Sequence, residues 1–358
     1  MARALSVCMG REAARRIERE GFSPDLFSLL LGASGGAKWL ILAHLDRFLF
    51  GDYLQRGTQP LAVVGSSIGT WRHTCLAMPD PVAAIDRMQH GYVTQSYAHG
   101  KPSPEEVSEV SAGILAHVLG QDGAGHVVDH PRIHTHIVTA RGRGPNGSAA
   151  TPLLATGLGA AALSNAVSRR LLQWHFQRVV FHTQEAPGPN LSLHDFDTCY
   201  ARLDAMTLTR SLHASGSIPF VLTGERDIPG APAGQYWDGG IIDYHFDLTQ
   251  YCGDGLILYP HFSDNVFPGW FDKFLSSRST RLAEVDAASR LVLVSPSERF
   301  IADLPFGKIP DRRDFKTLGE EERVRYWEHC IERGRALAEE FAALVDSADP
   351  LAGVRVYG

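Results

Sequence analysis

Residues 61–69 read Leu61-Ala62-Val63-Val64-Gly65-Ser66-Ser67-Ile68-Gly69, an apolar run that breaks into a turn of glycine and serine. Such a run, bounded by turn residues, fits a short buried strand, and the helical pattern behind it stops before Pro79. The turn matches G-x-S-x-G, in which a sharp strand-to-helix corner holds a serine hydroxyl clear of the backbone. A side chain at Gly65 or Gly69 would crowd that corner, and the helix start behind Ser67 favours developing negative charge. Taken alone, the same segment also reads as an ordinary βα turn of small residues.

Working outward, residues 26–31 (LFSLLL) form a second apolar run, preceded by an Arg- and Glu-rich helical segment that Gly21 can end. It leads into Gly32-Ala33-Ser34-Gly35-Gly36-Ala37-Lys38, a second strand, loop and helix. Adjacent glycines leave their N–H groups unshielded, so Gly35 and Gly36 can aim two donors at an oxyanion, each worth about 3 kcal/mol in acyl transfer. A phosphate-binding P-loop fits poorly, because Ala37 precedes the lysine and Trp39 stands where Ser or Thr would ligate magnesium. Further strands are expected at 133–139, 178–182, 256–259 and 291–294, and Asp80-Pro81 opens a helix running to about residue 89. Alternating strands and helices predict an α/β sandwich with a mostly parallel sheet. Only 66 residues precede Ser67, with one convincing strand earlier than the elbow's own, too few for the α/β-hydrolase order of strands.

No internal repeat or low-complexity tract appears, and residues 1–358 read as a single domain. Thr317-Leu318-Gly319-Glu320 fits a capping box for a long C-terminal helix at about 318–346. Val324, Trp327, Ile331, Ala338, Phe341 and Val345 would share one face, suited to packing on the body of the protein or to a homodimer contact. The chain has 34 Lys+Arg against 40 Asp+Glu, a net charge of −6 that argues against nucleic acid as a partner. A hydrophobic share of 44% is enough for a sizeable core. Five scattered cysteines without a C-x-x-C pair argue against a disulfide framework or thiolate zinc site, and for a reducing compartment. The N-terminal apolar run, residues 4–9, is shorter than a signal peptide's, and the weakly polar 151–167 reads as a buried helix rather than a membrane span. The expectation is a soluble, cytoplasmic protein.

A third segment, Tyr236-Trp237-Asp238-Gly239-Gly240, sets a carboxylate between aromatics and glycines. Partly desolvated and within reach of a serine, Asp238 could act as a general base, with Gly239 and Gly240 allowing close backbone approach. By itself Asp-Gly-Gly is more often a turn. Among the 16 histidines, His134 and His136 share a strand face with ligand-like spacing but lack a thiolate or firmly placed carboxylate partner, so no metal is expected. His73, His213, His245 and His261 are the imidazoles for a Ser-His-Asp arrangement, and His245 and His261 keep the order Ser, Asp, His. Val266, Phe267, Trp270, Phe271 and Phe274 recur at helical spacing, as core or as a grip on a lipid surface.

In order, Gly35-Gly36-x-Lys38, Gly65-x-Ser67-x-Gly69, Ala214-Ser215 with Pro219-Phe220, and Asp238-Gly239-Gly240 resemble the patatin-like phospholipase family over roughly residues 26–243. The resemblance implies a three-layer α/β/α sandwich and hydrolysis of lipid acyl esters by a Ser-Asp dyad without cofactor or metal. Ser67 then resembles the nucleophile, Asp238 the base, and Gly35 and Gly36 the oxyanion hole, with Lys38 in place of the family's basic residue. The chain departs from the family's Asp-Gly-Gly-Gly-x-Arg-Gly loop at Ala33, Ser34, Lys38 and Trp39, and bulky Trp71-Arg72-His73 follow the elbow. The expected partners are an acyl-ester or lipid substrate and, transiently, a membrane surface. The alternatives are a Ser-His-Asp esterase using His245 or His261, and a non-catalytic lipid or acyl-chain binding protein.

Overall fold

Apolar runs too short for helices, bounded by glycine or polar turns, become the central strands of one sheet, and short mixed segments such as Glu225–Arg226 add to its margins. In the computed structural model, which describes residues 3–98, 101–184, 193–251, 253–280 and 282–357, they are β1 (Leu5–Gly10), β2 (Phe27–Gly32), β3 (Leu61–Ser66), β4 (Ile133–Gly142), β5 (Phe176–His182), β6 (Thr198–Arg202), β7 (Glu225–Arg226), β8 (Gln235–Asp238), β9 (Leu256–Pro260), β10 (Leu291–Pro296) and β11 (Arg355–Tyr357). The sheet order is β11-β1-β10-β9-β2-β3-β4-β5-β6, with β8 on β4 and β7 on β8. Strands β10, β9, β2, β3 and β4 are mutually parallel. Helices complete a three-layer α/β/α sandwich around this mostly parallel sheet. Buried on both faces, the central strands are apolar almost throughout, as in Leu29, Leu30 and Leu31 of β2.

One register explains the site. Strand β3 pairs with β4 up to Ser66↔Val138, and β8 takes up the ladder from the next residue, Thr139↔Asp238. Strand β5 fills the opposite edge of β4 across residues 136–142. Strands β3 and β8 therefore meet end to end along one edge of β4, which brings the residues after Ser66 against Asp238. An ideal Cβ on Gly239 would lie 2.2 Å from the Val138 carbonyl oxygen, so this junction admits only glycine. Behind it, Arg178 on β5 bonds Asp243 and Asp195 at 2.6 Å and ties the following segment to the sheet.

Several expectations need correction. Two strands, not one, precede the elbow: the run containing Val7 is β1, antiparallel to β10 with Val7 opposite Val294. Its partner is too distant in sequence for local pattern to reveal. Helix Thr151–Val167 forms, but it is not buried: Leu154, Leu158 and Ala161 pack inward while Leu163 and Val167 are 74% and 78% exposed. The capping box does not form, since Thr317 closes a separate short turn and donates to the Arg313 carbonyl while Gly319 caps without a side-chain bond. The C-terminal helical stretch is divided into Glu320–Arg333 and Arg335–Val345 at Gly334, which presses on the Ile41 carbonyl. Trp327, Ile331 and Phe341 of the proposed stripe are buried within the chain. Asp80 caps helix Pro81–Thr94 by accepting from Ala83 N–H at 2.9 Å. Cys8, Cys75, Cys199 and Cys330 are free thiols, and Cys252 lies outside the described residues. Among the described residues no helix is long and apolar enough to cross a membrane.

Candidate active site

The elbow begins as β3 ends. Ser67 adopts φ 54° and ψ −129°, which an L-residue holds only under strain of about 1–3 kcal/mol and only where its surroundings fix it. Those surroundings are specific. The Ser67 N–H donates to Ser215 Oγ at 2.9 Å, Ser215 Oγ donates to the Val138 carbonyl at 2.6 Å, and the Ser67 carbonyl accepts from Thr70 N–H and Oγ1 at 3.0 and 2.7 Å. Helix Ile68–Leu76 then crosses β2 so closely that an ideal Cβ on Gly69 would sit 1.9 Å from the Gly32 carbonyl oxygen.

With its backbone held, Ser67 donates from Oγ to Asp238 Oδ2 at 2.7 Å. The other carboxylate oxygen accepts from Gly240 N–H at 2.7 Å, and the Asp238 N–H donates to the Ser217 carbonyl at 2.8 Å. Both side chains are buried. Burial pushes the Asp238 carboxyl up from its ordinary 3.8 to about 6, opposed by the Ser67 and Gly240 hydrogen bonds and by the charges of Arg312 and Lys273. At neutral pH it is thus ionised yet more basic than an exposed aspartate. If Asp238 is the base, kcat/KM for an acyl ester should fall below pH 6, about tenfold per unit once Asp238 is mostly protonated. A rate profile from pH 4.5 to 8 checks this, and a profile flat through pH 6 removes Asp238 from the role. For stability the sign is opposite: with the folded pKa above the unfolded one, the favourable contribution of protonated Asp238 is lost as pH rises from about 4 to about 6.

The glycine loop completes the cluster. Ser34 N–H donates to the Tyr244 carbonyl at 2.9 Å, and Ser34 Oγ donates to Ser66 Oγ at 3.0 Å. Gly240 packs on that same Ser34 Oγ, so the loop after β2, the elbow after β3 and the Asp238 loop form one contact. Gly36 has φ +55°, and no carbonyl or side chain among the described residues takes the N–H of Gly35 or Gly36. The Phe262 ring packs on Gly35, and Lys38 lies 4.8 Å from the centre of that ring.

Ser67, Asp238, Gly35, Gly36, Gly65, Gly69, Gly239, Gly240 and Lys38 thus come from segments brought together at one end of the sheet. The histidines do not join them by hydrogen bonding. His73 lies under Gly32 with neither ring nitrogen hydrogen-bonded among the described residues, and His213 Nδ1 bonds Glu225 at 2.9 Å. His245 Nδ1 accepts from Phe267 N–H at 3.2 Å, and His261 Nδ1 bonds the Ser263 backbone. His136 Nδ1 bonds the His134 carbonyl at 2.9 Å and its ring stacks on His182. Trp71 packs the elbow helix, its indole donating to the Leu212 carbonyl at 3.1 Å. The aromatic run from Val266 is a set of turns, not a helix: only Asp272–Phe274 is helical, Val266 is buried and Phe274 is exposed.

Three neighbours carry no local sequence signal: Tyr244, Lys273 and Arg312 all act electrostatically with Asp238. Comparison of the chain with protein-family models, curated proteins and solved structures finds no match. Chemically, the arrangement offers a hydroxyl hydrogen-bonded to a basic carboxylate beside two unclaimed backbone donors, the parts needed for acyl transfer through a covalent intermediate.

Proposed function

We propose that the chain is a serine acyl-ester hydrolase of patatin-like type, with Ser67 as nucleophile and Asp238 as general base. The observation that carries this reading is the 2.7 Å bond from the hydroxyl of Ser67, a residue with strained backbone, to a buried carboxylate whose pKa is raised to about 6. Asp238 Oδ2 takes the hydroxyl proton as Oγ attacks the ester carbonyl carbon, and the Gly35 and Gly36 N–H groups donate to the resulting oxyanion. Collapse breaks the bond to the alcohol oxygen, which leaves with the proton from Asp238. Water then adds to the acyl-enzyme, giving its proton to Asp238, and the acid departs as Ser67 Oγ is reprotonated.

The Ser67–Asp238 bond favours the dyad over a Ser-His-Asp triad, because the side-chain position that histidine would occupy is taken by the carboxylate itself. Lipid-derived or similar acyl esters are the proposed substrates. The free thiols of Cys8, Cys75, Cys199 and Cys330 support action in the cytoplasm. The test is labelling with a fluorophosphonate, with short- and long-chain esters assayed in parallel. The expected result is a single adduct on Ser67 in the wild type and none in Ser67→Ala. A folded wild type that neither labels nor turns over these esters overturns the reading in favour of an acyl-chain binding protein.

A further inference from the structure

Against the glycine loop lies a cleft of about 260 Å³ whose lining includes Lys38, Tyr244, His245, Phe262, Lys273 and Phe274. Phe262 packs on Gly35, and the Tyr244 carbonyl accepts from Ser34 N–H at 2.9 Å, so two of its lining residues rest on the loop beside the dyad. Two cations face it. Lys38 lies over Phe262, while Lys273 lies 5.1 Å from the ring centres of Tyr244 and Phe274 and 5.3 Å from that of Trp270. Neither forms an ion pair among the described residues.

The nearby carboxylates are already engaged. Asp238 holds Ser67 and Gly240, and Asp311, the acid closest in effect to Lys38, bonds Lys308 at 3.0 Å and the Arg313 N–H at 2.6 Å. Burial, Lys38, Arg312 and Arg313 push Lys273 down to about 8, with Asp238 opposing, so at neutral pH it is mostly charged and is repelled by its surroundings. His245 adds a donor. With Nδ1 accepting from Phe267 N–H, its proton sits on buried Nε2, which the Asn265 backbone approaches but which completes no hydrogen bond among the described residues. Uncompensated ammonium groups at a partly desolvated, aromatic-walled cleft are unfavourable until an anion arrives.

We infer that this cleft is an anion subsite, built to seat a phosphate or carboxylate group on the substrate between Lys38 and Lys273, with His245 Nε2 as an additional donor. The inference rests on the hydrolase reading and narrows it to acyl esters whose alcohol carries an anionic group close to the scissile bond. The test compares 1-palmitoylglycerol with 1-palmitoylglycerol 3-phosphate as substrates, and adds inorganic phosphate as a free ligand.

The expected result is at least a tenfold higher kcat/KM for the phosphate ester. Lys273→Met should remove most of that preference, mainly through KM, and Lys273→Arg should retain it. Millimolar phosphate should compete with the ester and raise the melting midpoint of both wild type and Ser67→Ala, but not of Lys273→Met. Equal turnover of the two esters, or a phosphate shift that persists in Lys273→Met, overturns the subsite while leaving the hydrolase reading intact. A Lys273-dependent phosphate shift in a protein that hydrolyses neither ester does the reverse. Equal turnover overturns it even where free phosphate competes, since the cleft then binds a free anion and not a substrate headgroup.

Discussion

Ser67→Ala is expected to lower acyl-ester turnover by about 10⁴-fold or more, the scale seen when a nucleophile is removed from a covalent mechanism. Alanine keeps the Cβ and hence the same strained backbone, so the fold should persist. What disappears is the only oxygen, among the described residues, hydrogen-bonded to Asp238 Oδ2. Asp238→Asn should cost about 10²–10⁴-fold, because an amide holds the geometry but accepts no proton. It should also make the folded chain more stable at neutral pH, since it removes a buried charge that burial penalises. Acting on one step, the two changes should combine to little more than Ser67→Ala alone. Single-turnover assays with urea unfolding of each variant separate lost chemistry from lost fold. Full activity in folded Ser67→Ala would end the dyad proposal.

The largest expected effect on stability comes from Asp46→Ala, at about 3–5 kcal/mol. Asp46, on helix Ala43–Gly51, accepts from Arg72 Nε and Nη2 at 2.7 and 2.6 Å, and the two side chains are 0% and 2% exposed. Arg72 also reaches the Pro260 carbonyl at 3.4 Å, at the end of β9. Removing the carboxylate leaves a guanidinium buried without a counter-charge, one turn behind Ser67. The same pair exchanged for Asp46→Leu with Arg72→Met should recover most of the loss, because the cost lies in the unpaired charge rather than in the missing bond. Urea midpoints of the single and double variants decide it. A loss below about 1 kcal/mol for Asp46→Ala would mean that water reaches Arg72.

This pair also accounts for a feature that looked anomalous in sequence. The bulky residues after the elbow, Trp71-Arg72-His73, are internal: an indole bonded across to the neighbouring helix, a guanidinium paired with Asp46, and an imidazole beneath Gly32. The elbow and central strands were legible because their signals are local, apolar runs followed by glycine turns. What local pattern could not show was contact across the chain. Strand β8 is four residues long and looked like a motif rather than a strand, so the register that brings Asp238 to Ser67, 171 positions away, had no signature. Strand β1 was hidden for the same reason. Lys273 and Arg312 stand 35 and 74 positions beyond Asp238 in sequence and come near it only by folding. The helix Thr151–Val167 misled in the other direction, since a segment without charge need not be covered.

Ser67 has a dihedral pair that glycine adopts without penalty. Glycine there would relieve about 1 kcal/mol of backbone strain and leave the corner its shape, but it would strip Asp238 Oδ2 of its hydrogen bond, about 1–3 kcal/mol for a buried group. The strain at the corner is thus offset by the same oxygen that the proposed chemistry needs. Folding and reaction hold position 67 as serine together, and a change at either Ser67 or Asp238 is felt at the other.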